Sequence, residues 1–182
     1  SLVGSEMCIR DRICTTMHFF PGGIILRSYD LIHWEFASYV FDRLESTDAQ
    51  RLQGEQSIYG KGMWAASLRY HKNKFYVCFS AYDVGKTYLF SADEITGPWE
   101  KHYVEGVYHH NSLLFDDDGR TYIYCGYERS FMAEVDTDTM YTIKDNSCIE
   151  HIIPITTDND GGFDTEETLF FEACSPRKVG DT

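Results

Sequence analysis

The sequence predicts an all-β fold made of small antiparallel sheets arranged as propeller blades, and three observations carry that reading. No window longer than about ten residues keeps apolar residues at i, i+3, i+4 and i+7, so no segment has the stripe a surface helix needs. Short aromatic and β-branched runs separated by turn clusters fill the chain instead. A signature also recurs: Leu26-Arg27-Ser28-Tyr29-Asp30 followed by Trp34-Glu35 matches Leu89-Phe90-Ser91-Ala92-Asp93 followed by Trp99-Glu100. Units of ~40–60 residues, each a small antiparallel sheet, have the pattern of propeller blades. A sandwich of similar strands is the alternative, and it gives no reason for a repeated strand-turn-Trp-Glu signature.

The elements follow in order. The Ile-Ile-Leu run at 24–26 is the first strand, opening after Pro21-Gly22-Gly23, and 34–40 is the second. Strands 65–70 and 74–80 flank the polar turn His71-Lys72-Asn73 and read as a hairpin. Strand 87–91 comes next, then 99–104 after the Gly97-Pro98 turn. A second hairpin, 112–115 with 120–125, closes on Asp117-Asp118-Gly119. Strands 131–136, 148–153 and 168–174 complete the set.

Composition narrows the function classes. The chain has 182 residues, 43% hydrophobic and 15% aromatic, which excludes intrinsic disorder and allows a sizeable core. No stretch approaches the ~20 apolar residues of a membrane-spanning helix. With 16 Lys+Arg against 29 Asp+Glu the net charge is −13, which argues against nucleic acid or an anionic membrane as partner. An uncharged or cationic ligand fits that balance. None of the six cysteines (Cys8, Cys14, Cys78, Cys125, Cys148, Cys174) forms a C-x-x-C pair, so a zinc ribbon or thioredoxin-type site is disfavoured. Cys78, Cys125 and Cys174 lie in apolar runs, where a thiol behaves as a small hydrophobe. The compartment stays open between cytoplasmic and periplasmic or secreted, with a lean toward a reducing one.

Both ends read as cut. The string at 1–12, SLVGSEMCIRDR, lacks a signal-peptide apolar region and resembles a translated sequencing-adapter artefact. At the other end Val179-Gly180-Asp181-Thr182 has the look of a turn about to enter another strand. The expectation is therefore a non-native 1–12 followed by a partial domain over 13–182, an internal fragment of a longer protein.

Four pieces then carry a family resemblance. Thr15-Thr16-Met17-His18-Phe19-Phe20-Pro21-Gly22, with Arg27-Ser28-Tyr29-Asp30-Leu31-Ile32-His33-Trp34, resembles the first blade of glycoside hydrolase family 43. Lys61-Gly62-Met63-Trp64-Ala65-Ala66-Ser67-Leu68-Arg69-Tyr70 is similar to its opening of blade two. Ser112-Leu113-Leu114-Phe115-Asp116-Asp117-Asp118-Gly119-Arg120 resembles blade three, and Phe171-Glu172-Ala173-Cys174-Ser175-Pro176-Arg177-Lys178 the blade-four segment that holds the catalytic acid. The resemblance implies a five-bladed β-propeller with the active site on its axis, of which this chain holds most of blade one, blades two and three, and the start of blade four. It implies an inverting enzyme that releases arabinose or xylose units from plant cell-wall polysaccharide, with an Asp base, a Glu acid, and an Asp that tunes the acid. The partner is then arabinan, arabinoxylan or a xylo-oligosaccharide. Inversion needs the acid and base far enough apart to admit a water.

Residue by residue, Glu172 takes the acid's position. It also earns attention without the family, as a carboxylate in the apolar run Leu169-Phe170-Phe171-Glu172-Ala173-Cys174. Desolvation there raises a carboxyl pKa, as a general acid near neutral pH requires; a Glu on the solvent face of an apolar strand is the plainer reading. The tuning Asp's position is held by His110, a departure: a cationic His would lower the acid's pKa and oppose the role. A slip of alignment, a sequence error and an impaired site all fit that departure. The base lies upstream of Thr15 in the family; Asp11 is the Asp present there, and the role is not carried over to it. Trp64, Phe19 and Phe20 match ring positions around the pocket, against ordinary core packing. His18 joins them as a pocket-lining candidate, and Arg177 as a group able to reach a sugar hydroxyl or a carboxylate.

Other motifs fail. Asp116-Asp117-Asp118-Gly119 has the spacing of a turn, and the Asp158-Asp160-Gly162 run places Leu169 where a calcium loop requires a bidentate Glu. No metal site is therefore assigned; family members often hold an axial metal ion through a blade-five His. Two function classes stand: a glycoside hydrolase fragment, expected to be inactive alone, and a non-catalytic carbohydrate-binding propeller, which the His110 departure keeps open.

Overall fold

The computed structural model describes residues 2–3, 9–104, 106–127, 129–136, 143, 149–151 and 175–176. Among these, every regular element is a strand: β1 (Leu2–Val3), β2 (Arg10–Cys14), β3 (Gly22–Ser28), β4 (Glu35–Phe41), β5 (Ser67–His71), β6 (Lys74–Ala81), β7 (Lys86–Ala92), β8 (Glu100–Val104), β9 (Ser112–Phe115), β10 (Thr121–Tyr127), β11 (Arg129–Val135) and β12 (Ile149–His151). They form three four-stranded sheets, each running in chain order and antiparallel throughout: β1-β2-β3-β4, β5-β6-β7-β8 and β9-β10-β11-β12. Antiparallel neighbours need no crossover connection, so strands consecutive in the chain can pair directly. The β5–β6 turn is the two-residue Lys72-Asn73, both at positive φ (47° and 61°), closing on the His71↔Lys74 pair. That geometry matches the twist of the flanking strands, and Asn tolerates it well.

The sheets stack face to face like blades, and the side-chain period of two shows it directly. On β6, Val77, Phe79 and Ala81 join a core shared with the first sheet, which holds Ile13, Ile25, Val40 and Phe41. Cys78, between them, points to the opposite core with Leu113, Ile123, Ala133 and Val135 of the third sheet. β7 repeats the division, with Tyr88 and Phe90 on one side and Leu89 on the other. A middle blade buried on both faces explains why β6 and β7 read as continuous apolar runs rather than as alternating ones. Phe41, Phe79 and Phe90 stack across the first interface at centroid separations of 5.5–5.9 Å. The first strands of the blades, β1, β5 and β9, lie beside one another, which marks the side of the axis.

The repeated signature occupies equivalent places: Leu26 lies on β3 and Leu89 on β7, each the third strand of its blade. Boundaries shift from the sequence expectation. The strand read at 24–26 runs over Gly22–Ser28 with a bulge between Ile25 and Leu26, and that read at 34–40 begins at Glu35. β2 had no predicted counterpart. Its Asp11 is fully buried, with both carboxylate oxygens accepting from Arg27 across the strand pair at 2.8 and 3.0 Å. The strand expected at 168–174, and with it the start of blade four, lies outside the described residues apart from Ser175 and Pro176 just beyond it.

Candidate active site

Four segments meet at one end of the blades: the β2–β3 loop, the approach to β5, the β6–β7 turn and the approach to β9. Backbone and hydroxyl bonds fix them. Met63 N–H donates to Met17 O (2.9 Å), and Thr15 Oγ1 donates to Met63 O (2.7 Å). Trp64 N–H donates to Ser80 O (3.0 Å), so the same segment is tied to the end of β6. Since Met17 precedes His18 and Met63 precedes Trp64, this bridge sets two candidate sugar-facing groups on neighbouring loops.

A buried polar network holds the next loop. Ser80 Oγ donates to Tyr108 O (2.7 Å) and Tyr108 N–H donates to Thr87 Oγ1 (3.0 Å). With its single proton so used, Ser80 accepts from Thr87 Oγ1 (2.8 Å) and from Asn111 Nδ2 (3.2 Å). Asn111 Nδ2 also reaches Tyr108 O (2.7 Å), so a strand-end serine and threonine fasten the whole 108–111 turn. His110 sits at the apex with φ of 46°, a backbone conformation that His, Asn and Asp adopt more readily than most residues.

The result is a wall of rings. His109 and His110 stack at 3.9 Å, Trp64 packs on His110 at 5.8 Å and on Tyr82 edge-on at 5.3 Å, and Tyr82 Oη is bonded to His109 Nδ1. Across the Met17–Met63 bridge, His18 packs on Phe19 (4.3 Å) and Tyr59 (4.8 Å). Gly60 N–H donates to His18 Nδ1 (3.3 Å), which puts the proton of a neutral ring on Nε2 as a donor. Phe19 is 67% exposed, so its ring is not core packing. Such rings offer flat apolar faces, and the imidazoles and phenol offer polar edges.

Of the residues singled out from sequence, Trp64 and His110 are in contact, and His18 and Phe19 are in contact. Phe20 turns the other way: it packs edge-on against Phe41 at 6.0 Å and lines a separate cleft of about 440 Å³ with Arg43, Glu45 and Gln50. Glu172 and Arg177 lie outside the described residues. Sequence reasoning missed Tyr82, His109 and Tyr59. Tyr82 carries a faint signal, an aromatic residue in a turn between two strands where a polar one is the norm. Among the described residues no three His, Cys, Asp or Glu side chains converge as metal ligands. Nor, among them, is any helix long and apolar enough to cross a membrane.

The family model described as glycosyl hydrolases family 43 matches residues 10–166. The chain belongs to glycosyl hydrolase family 43. Its three sheets are blades of that family's propeller. It is 33% identical over 116 residues to a putative β-xylosidase of Escherichia coli K12, covering 59% of this chain and 21% of that protein. Its identity to a non-reducing-end α-L-arabinofuranosidase of Bacteroides ovatus is 30% over 114 residues, covering 60% and 21%. A solved bifunctional GH43-CE structure from Bacteroides eggerthii superposes with a TM-score of 0.80 at 32% identity, over 84% of this chain and 20% of that one. The chain thus spans about a fifth of the length of these relatives.

One prediction arises from the wall itself. Trp64→Ala in the full-length protein is expected to raise KM for a bound sugar roughly tenfold, about 1.4 kcal/mol, while kcat changes little. Steady-state kinetics checks it, and an unchanged KM removes Trp64 from the sugar-facing wall.

Proposed function

We propose that this family 43 chain is part of an inverting glycoside hydrolase that releases arabinose or xylose units from plant cell-wall polysaccharide. One observation carries the reading: in a family 43 chain, Trp64, Tyr82, His109 and His110 converge at one end of the blades as rings with polar edges. The relatives named as xylosidase and arabinofuranosidase support the substrate class. In this reading Glu172 protonates the leaving oxygen, the ring wall carries the sugar, and His18 and Arg177 donate to its hydroxyls. The base is assigned to no residue of this chain; Asp11, whose two carboxylate oxygens are taken up by Arg27, is not given that role.

A second reading, a non-catalytic carbohydrate-binding propeller, is favoured by His110 standing where the family has its tuning Asp. Recovering the full-length parent and assaying it on aryl β-xylosides and aryl α-L-arabinofuranosides separates the two. The parent is expected to turn over at least one class, the 182-residue chain neither, and His110→Asp is expected to raise the parent's rate on glycosides with poor leaving groups. Sugar binding without turnover in both the parent and the His110→Asp variant establishes the binding module instead.

A further inference from the structure

Arg69 stands on β5, the first strand of the second blade, and is half-buried; desolvation pushes its guanidinium pKa down. Its hydrogen bonds leave the blade in several directions. Nε donates to Leu113 O (2.9 Å) and Nη2 to Ser112 Oγ (2.5 Å), both on β9 of the third blade. Nη1 donates to Leu68 O on its own strand (3.0 Å). Nη2 also donates to Ser175 Oγ (2.7 Å), 106 residues further along the chain. One planar fork therefore ties together β5, β9 and the segment that follows Glu172. Arginine suits this because its donors diverge in a fixed plane; a lysine offers a point charge and cannot span such acceptors at once. A half-buried cation held by several directed bonds to different segments loses them together when it is displaced, so the fork and its partners hold one another in place.

We infer that Arg69 is a positioning residue, which fastens the Ser175 segment to the first strands of blades two and three and so sets where Glu172, three residues upstream, presents its carboxyl. Three residues span at most about 10 Å, so an anchor at Ser175 limits how far the acid can stray. The catalytic half of the inference rests on the proposed glycosidase reading; the mechanical half does not.

The test uses the full-length protein with Arg69→Gln, Arg69→Lys and Ser175→Ala. In Arg69→Gln, amide hydrogen exchange in the peptide covering 171–178 is expected to accelerate roughly tenfold or more, while peptides of the first blade keep their rates. On glycosides with poor leaving groups kcat is expected to fall about 10²-fold with KM near wild type, and less on activated aryl glycosides, because a displaced acid matters only where a proton is needed. Arg69→Lys should recover little of this. Ser175→Ala, which leaves the bonds to β9 intact, should reproduce the same split at smaller size, and it decides the matter if Arg69→Gln does not fold. Unchanged exchange at 171–178, or equal kinetic losses on both substrate types, overturns the inference. A wild type that hydrolyses no glycoside, with exchange responding as expected, upholds the fastening and discards the glycosidase reading.

Discussion

Glu172→Gln in the full-length protein is expected to lower kcat/KM on natural glycosides by about 10²–10⁴-fold, the usual contribution of general acid catalysis. The amide keeps the size and the hydrogen-bonding shape of the carboxyl and removes the transferable proton. An alkoxide leaving group from a polysaccharide is poor and must be protonated as its bond breaks, so it takes the whole loss. A nitrophenolate leaves without help, so activated substrates should lose far less, and sugar binding should survive. A Glu that only binds, or that faces solvent, predicts a small and equal effect on every substrate. The measurement is kcat/KM for one activated and one unactivated glycoside in wild type and mutant. Equal losses remove Glu172 from the acid's role. The pH profile gives a second reading, because the limb set by the acid in its protonated form should vanish with the mutant.

How much of this was legible in the chain depends on how local each feature is. Turn chemistry and the period of two are local, so the hairpins around Lys72-Asn73 and Asp117-Asp118-Gly119 stood out and the structure places strands on either side of both. The repeated Leu-x-Ser-x-Asp signature reported the blade repeat, because equivalent strands face equivalent neighbours. β2 went unread for a different reason: 10–12 lie in a string set apart from the rest, yet Arg10–Cys14 pairs with β3 along its whole length. The ring wall was legible only in part. Trp64 and His110 are 46 positions apart, and no pattern in either segment reports that they touch. The contact is made by Ser80 and Thr87, small polar residues inside apolar strands whose hydroxyls hold the 108–111 turn. Arg69 was invisible as an anchor, because a lone Arg on a strand has no sequence mark of the acceptors it finds on other blades.

Gly62→Ala is expected to destabilise the protein by about 2–5 kcal/mol, combining a left-handed backbone forced on an L-residue with an overlap that side-chain motion cannot relieve. Gly62 has φ of 85°, and a Cβ there would stand 2.3 Å from Met17 O, 3.0 Å from Met17 C and 3.2 Å from His18 Cα. All three are backbone atoms, so the loop itself must move. The oxygen it would push is the one that accepts from Met63 N–H, and that bond seats His18 and Trp64 on adjoining loops. The same substitution should therefore weaken sugar binding in whatever fraction still folds. Gly60 provides the control two residues away. It also has a positive φ, 73°, and a Cβ added there meets nothing within 4 Å. Gly60→Ala then carries only the conformational term, about 1–2 kcal/mol. Urea unfolding of both variants of the full-length protein separates the two contributions. Equal midpoints would mean that the close approach of Met17 to Gly62 does not hold the two loops together, and that their register comes from the blades alone.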